Sequence, residues 1–206
     1  LDRRPRLVLG QRGVRAGELE QPCAVATTAS GGLLVADTWN HRILRFDDLG
    51  AVEATFEAGF FGPRGLAVDS RSGDLLVADT GNHRLVRLSA GGKVIQTIGG
   101  EGTGDGEFRE PTGVAFAADG RIAVADASNG RIQILDAAGL WLATWRVPEW
   151  RRDASSEPDL VFSAVGELWF TVPLAGEVRA LDRTGTPLVR RKVAASGDAG
   201  PAIPLG

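Results

Sequence analysis

One stretch of this chain is written four times. Leu33–Asp47 (LLVADTWNHRILRFD) returns as Leu75–Ser89 (LLVADTGNHRLVRLS), more loosely as Ile122–Asp136 (IAVADASNGRIQILD), and in decayed form as Leu168–Asp182 (LWFTVPLAGEVRALD). Asp37, Asp79 and Asp126 are 42 and 47 residues apart, and Pro22, Pro63, Pro111 and Pro158 open the copies at spacings of 41, 48 and 47. A period this long means an array of one supersecondary unit, because a single unit has no partner against which to bury its apolar side. The drift in spacing places the extra residues in surface loops, which tolerate insertion. Even the flanks repeat: residues 9–22 parallel residues 98–111 position for position.

Each copy divides into four short apolar runs. In the second copy these are residues 65–68, 74–78, 84–88 and 93–98, separated by clusters of Gly, Ser, Asn and Asp. Runs of four to six β-branched and apolar residues between such turn signals read as strands of a meander. No segment carries a helical apolar period over ten or more residues. Four antiparallel strands in about 45 residues is the pattern of a propeller blade. The expectation is therefore an all-β chain, a β-propeller of four-stranded antiparallel blades. The repeats fall at about 22–56, 63–98, 111–147 and 158–193, within a single domain over 1–206. Residues 1–21 supply the outer strand and connection of a preceding blade. This phase favours an arc of a larger ring, with further blades or a partner chain completing it, since an open array exposes unpaired edges.

The residues that carry a family resemblance can now be named. Pro-x-Gly-(Leu/Val)-Ala-Val is followed by Leu-Leu-Val-Ala-Asp-Thr-x-Asn-His-Arg-(Ile/Leu) and a closing Gly turn. This resembles the NHL repeat over nearly the whole chain. The fourth copy departs most, with Val172-Pro173 for Ala-Asp and Glu177 for Arg. The resemblance implies a β-propeller, usually six-bladed, used mostly as a binding platform, with a bacterial, extracytoplasmic or secreted setting favoured.

Composition narrows the classes. The chain has 206 residues, 43% hydrophobic and 24% charged, ordinary values for a domain with a sizeable core. No apolar run approaches the ~20 residues of a membrane span. A net charge of −3 is not the basic footprint expected of a nucleic-acid binder. One cysteine, Cys23, allows no internal disulfide and does not report the redox compartment. The chain has no methionine and shows no signal peptide, which reads as a piece cut from something longer.

The repeat itself sorts candidate residues. A side chain present in every copy builds the unit; one that varies on a shared face is a better candidate for a site. Asp37, Asp79 and Asp126 each precede an arginine by five residues: Arg42, Arg84 and Arg131. Across a hairpin that spacing sets the two opposite one another, and the fourth copy loses both together, as a structural ion pair requires. His41 and His83 occupy one turn position and are too few to make a metal centre, which needs three or four converging ligands. The glycine-rich loop 99–106 lacks the following helix that a phosphate cradle requires, and its twin at 10–17 marks it as a blade connection. No catalytic residue, metal or cofactor is expected.

The residue after each opening proline differs in every copy: Cys23, Arg64, Thr112 and Asp159. These positions start the innermost strand and should ring the mouth of the central channel. Further out on the same side lie Trp39, in a turn position that is Gly81 and Ser128 elsewhere, and Trp150, Arg151 and Arg152 in an unusual connecting loop. An exposed tryptophan beside arginine suits an interface anchor. Strands alternate direction, so the opening proline and the Asn-His-Arg turn emerge on one face, and tight glycine turns (Gly50, Gly73, Gly120, Gly166) occupy the other. Three functions compete. The first is a non-catalytic binding or scaffold module for a protein, peptide or glycan. The second is a channel-centred, metal-dependent lyase or lactonase-like enzyme, whose usual set of His, Asp, Asn or Glu ligands this chain lacks. The third is RNA binding, which the net negative connecting loops oppose.

Overall fold

In the computed structural model, residues 8–150 and 157–188 are described. The expected outer strand of the fourth blade, beyond Leu188, and the candidates Arg151 and Arg152 lie outside the described residues. The chain is all-β and forms four successive blades. The first blade holds β1 (Ala24–Thr27), β2 (Leu33–Asp37), β3 (Arg42–Phe46) and β4 (Val52–Phe56). The second holds β5 (Gly65–Val68), β6 (Leu75–Asp79), β7 (Arg84–Leu88) and β8 (Val94–Ile98). The third holds β9 (Pro111–Phe116), β10 (Ile122–Asp126), β11 (Arg131–Leu135) and β12 (Trp141–Arg146). The fourth shows β13 (Leu160–Phe162), β14 (Leu168–Val172) and β15 (Glu177–Leu181), with Leu181 bridging antiparallel to Pro187. Every pairing within a blade is antiparallel and sequential. Among the described residues helix is confined to four single 3₁₀ turns, at Thr38–Asn40, Thr80–Asn82, Ala127–Asn129 and Pro173–Ala175. No helix among the described residues is long and apolar enough to cross a membrane.

The core lies in the seams between blades. Alternation along each strand sends one set of side chains to the preceding blade and the other to the following one. Leu34, Ala36 and Ile43 of the first blade pack on Leu66, Leu75, Val77 and Val86 of the second. Leu76, Ala78 and Leu85 then meet Val114, Ile122 and Val124, and Ala123, Ala125 and Ile132 meet Leu160, Leu168 and Phe170. Both faces of each middle strand are thus apolar, which is why the runs read as continuous rather than alternating.

Each seam is also plugged from the connecting loop. Phe60 and Phe108, each three residues before an opening proline, are buried in the first and second seams. The third seam is plugged by Trp150, which stands eight residues before Pro158 and is only 3% exposed. Its ring meets Phe170 edge-on with centroids 5.8 Å apart, and its Nε1 donates to the Thr171 carbonyl at 2.9 Å. The expectation of Trp150 as a surface anchor is therefore corrected: the indole supplies the apolar volume that phenylalanine supplies elsewhere, and its N–H is satisfied inside.

Candidate functional site

The face built by the connecting loops and the β2–β3-type turns begins with the repeated Asp-Thr-x-Asn-His-Arg hairpin. Asp37 and Arg42 are directly paired across the ladder, as are Asp79 with Arg84 and Asp126 with Arg131. Arg Nε donates to the carboxylate at 2.7, 2.8 and 2.6 Å. Each carboxylate also takes a side-chain N–H from Asn40, Asn82 or Asn129 and a backbone N–H from the loop beneath, those of Glu20, Phe61 and Arg109, at 2.7 Å. The arginines and asparagines then donate to carbonyls of that same loop, at Gly13, Glu18, Gly59, Gly102 and Gly104 among others. Asp, Asn and Arg together bind the loop that enters the blade. Gln133, fully buried, joins the third clamp by donating to Asp126 and the Glu107 carbonyl.

The other motif residues point forward, to the next blade. Thr38 Oγ1 donates to the Pro63 carbonyl at 2.8 Å and Thr80 Oγ1 to the Pro111 carbonyl at 2.7 Å. His41 and His83 sit at the left-handed position that ends the 3₁₀ turn, φ 55° in each, where the later copies use Gly130 and Gly176. A histidine there costs conformational energy that glycine avoids. In exchange, His Nδ1 accepts the N–H of Gly62 or Glu110, just before the next opening proline, at 3.0 Å. Both imidazoles are thereby committed to joining blades. Among the described residues no three His, Cys, Asp or Glu side chains gather closely enough to hold a metal ion.

The four channel-mouth candidates have unlike fates. Thr112 is buried, and its hydroxyl donates to the Pro158 carbonyl at 2.7 Å. That is the bond Thr38 and Thr80 make at the first and second seams, and the third copy has Ala127 at their position. The expectation that Thr112 varies for the sake of a ligand is thus corrected: it supplies a seam bond from β9 in place of the 3₁₀ turn. Arg64 pairs with Glu157, which precedes the fourth blade, so the pair reaches past the intervening third blade. Asp159 is exposed, and one carboxylate oxygen accepts the Leu160 N–H at 2.8 Å. Cys23 is exposed, with its thiol against the Gln21 carbonyl at 3.6 Å.

Two aromatic rings remain open to solvent on this face. Trp39 is 50% exposed, held by an Nε1 bond to the Gln21 side chain. Phe61 is 54% exposed, whereas Phe60 beside it is buried, a division of roles that the doubled phenylalanine alone does not reveal. Its ring lies over Gly81, where an added Cβ would come within 2.2 Å, and stacks at 5.0 Å on His41 of the preceding blade. The legible signal was the doubled phenylalanine set against a glycine in the next turn. Trp39 shares the turn of His41, so an exposed indole and the His41–Phe61 stack stand on the same face near the first seam. The backbone beneath is fixed by the Asp37 and Asp79 clamps. In the place equivalent to Trp39 two blades on, Ser128 donates to Glu110 and the surface is polar. Around the fourth blade, Arg179 donates to Glu149 and Glu177 at 2.8 Å each, and Glu149 foremost raises its guanidinium pKa above the ordinary arginine value.

A family model described as the NHL repeat matches residues 19–46, 60–88 and 108–135. No curated protein sequence matches the chain. Among solved structures it is similar to a streptogramin B lyase, with TM-score 0.63 and 20% identity over 81% of this chain and 53% of that one. It is similar also to a catalytically inactive variant of virginiamycin B lyase from Staphylococcus aureus, bound to quinupristin, with TM-score 0.68 and 15% identity over 90% and 58%. The hydrazine synthase of Kuenenia stuttgartiensis gives TM-score 0.66 and 16% identity over 88% and 51%. At such identities the likeness shows the fold alone, and the chain spans little more than half the length of these proteins.

Proposed function

Because this chain is built of NHL repeats folded as blades of a β-propeller, we propose that it is a non-catalytic binding module whose loop face recognises a protein or peptide, with a glycan as the alternative ligand. The observation that carries the reading is the two exposed rings on this face, Trp39 and Phe61, the second stacked on His41. Large rings half open to water, on backbone already clamped, contribute contact area at small ordering cost. Cys23, Arg64 with Glu157, and Asp159 form the polar surroundings at the channel mouth. The net negative connecting loops turn the face away from phosphate backbones.

The likeness to two lyases supports an enzymatic reading only at the level of the fold. The first test compares the Trp39→Ala/Phe61→Ala double variant with Leu49→Ser, a control on the glycine-turn face, by calorimetric titration of hits from peptide and glycan arrays. The expected result is a loss of at least about 30-fold in affinity for the double variant, as for interface hot spots, and no change for the control. Equal binding by all forms would sink the choice of face. Turnover of quinupristin by the purified chain, followed by mass spectrometry, would replace the binding reading with the enzymatic one.

A further inference from the structure

Two of the four copies accept a backbone strain that the other two avoid. His41 and His83 stand at φ 55°, in the left-handed region, where the third and fourth blades use Gly130 and Gly176. Each ring does one thing that glycine cannot. His41 Nδ1 accepts the Gly62 N–H and His83 Nδ1 accepts the Glu110 N–H, both at 3.0 Å. These amides stand one residue before Pro63 and Pro111, where the chain enters the next blade. A ring that accepts at Nδ1 is neutral and carries its one proton on Nε2. Gly130 offers no such acceptor and has little space for one, since an added Cβ would lie 3.1 Å from the Trp150 carbonyl oxygen.

We propose that His41 and His83 make the first two seams sensitive to mild acid and leave the third insensitive. Imidazole changes charge between about pH 5 and 8, and its cation carries a proton on both nitrogens. No rotation of that cation offers an acceptor to the amide, so donor meets donor and the joint opens. The bond to Gly62 is partly buried, whereas the one to Glu110 is exposed, where water takes the place of the ring. Gly62 is therefore the clearer reporter. The charged groups at each joint have other partners. At the first, Asp37 and Arg42 of the same hairpin pair with each other, Asp79 of the second blade takes the Phe61 N–H, and Arg64 pairs with Glu157. At the second, Asp79 pairs with Arg84, and Asp126 of the third blade pairs with Arg131 and takes the N–H of Arg109 on the loop. The Glu110 carboxylate accepts from Ser128. Phe61 immediately precedes the released Gly62 amide, so acid loosens one of the two exposed rings of the loop face. That consequence rests on the binding reading; the joint itself does not.

The test needs no ligand. Amide hydrogen exchange of the full chain is followed by NMR from about pH 7.5 to 5, corrected for intrinsic rates, as wild type, His41→Asn and His41→Gly. Asparagine and glycine both suit a left-handed position, so neither replacement threatens the fold. Asparagine Oδ1 is an acceptor at the branch point where histidine has Nδ1, and it does not titrate. In the wild type, acid is expected to lower the protection of the Gly62 amide at least about fivefold relative to the Trp150 amide, which donates to the Val147 carbonyl at the third seam. His41→Asn is expected to make Gly62 protection flat with pH, and His41→Gly to leave it low at every pH. Nitrogen shifts of the wild-type rings at pH 7.5 are expected to show Nδ1 without a proton. Unchanged Gly62 protection across the range in the wild type overturns the proposal, and so does a proton on His41 Nδ1 at pH 7.5. A pH dependence that survives His41→Asn belongs to another group and overturns it as well.

Discussion

The second and third seams do the same work with different parts. At the second seam, between β6 and β9, a loop bearing Phe108 plugs the core and the Asp126–Asn129–Arg131 clamp binds that loop from above. At the third, Val172, Ala175 and Glu177 stand where the clamp would be, and Trp150 reaches in from the loop with its own hydrogen bond to Thr171. The difference teaches what the repeated motif is for. Asp, Asn and Arg are kept wherever a glycine-rich connection must be held by its carbonyls and N–H groups. They are gone where one large ring secures the connection. The motif is therefore joinery, and the face it supports is decorated by residues outside it, such as Trp39 and Phe61.

The largest effect that would sharpen this contrast is expected for Asp126→Ala. It removes a carboxylate with 0% exposure and leaves Arg131 Nε and the Arg109 N–H without their acceptor. Breaking a buried pair in this way costs about 3–5 kcal/mol. Urea unfolding should show that loss, with hydrogen exchange rising first in the 99–108 loop. A change under about 1 kcal/mol would mean that Asp126 does not hold the seam.

Trp150→Ala is expected to cost about 3 kcal/mol, as for other aromatic deletions from a core. Trp150→Phe should recover most of it, since Phe60 and Phe108 fill the other seams. If Trp150→Ala is silent in unfolding but abolishes ligand binding, the ring is a surface anchor after all and the contrast between seams collapses.

These two cases mark what could be read from the sequence. The repeat period, the blade meander and the Asp–Arg hairpin pairs were legible because each is a fixed offset within one copy. Trp150 was misjudged because its plug sits eight residues before the proline, not three, and no within-copy offset announces it. Thr112 was misjudged for a related reason. It replaces a hydroxyl lost at Ala127, fifteen residues away in the 3₁₀ turn, and only the three-dimensional seam brings both within reach of the Pro158 carbonyl. Variation among copies signals function only after such exchanges are removed.

The threonine exchange gives a third, smaller prediction. Thr112→Val should cost about 1 kcal/mol, the usual worth of one neutral hydrogen bond whose acceptor stays buried. Adding Ala127→Thr should restore the loss, because that position reaches the equivalent carbonyl in the first two copies. Failure of the second change to recover stability, measured as the coupling in a double-mutant cycle, would show that the two positions are not interchangeable.

The smallest effect separates the second blade from the others on the glycine-turn face. Asp69, 2% exposed, takes the place held by Thr28, Ala117 and Ser163 in the other copies. Its carboxylate accepts hydrogen bonds from the Arg71 side chain and N–H, and Arg87 lies within 3.5 Å. The bond from Arg71 foremost holds its pKa below the ordinary value. A depressed folded pKa contributes stability that is present above the unfolded value, near 4, and is lost as pH falls through the folded one. The turn it caps, closed by the Gly73 N–H on the Asp69 carbonyl at 2.7 Å, should loosen on acidification. The matching turn of the fourth blade, closed by Gly166 on Ser163, has no carboxylate at that position and should not. The protection of the Gly73 amide relative to Gly166, corrected for intrinsic exchange, is expected to fall below about pH 4 by less than about 1 kcal/mol, in keeping with a partly exposed arginine partner. Parallel protection of the two amides down to pH 3 would show that the carboxylate adds nothing to its turn. The second blade would then differ from its neighbours in sequence only.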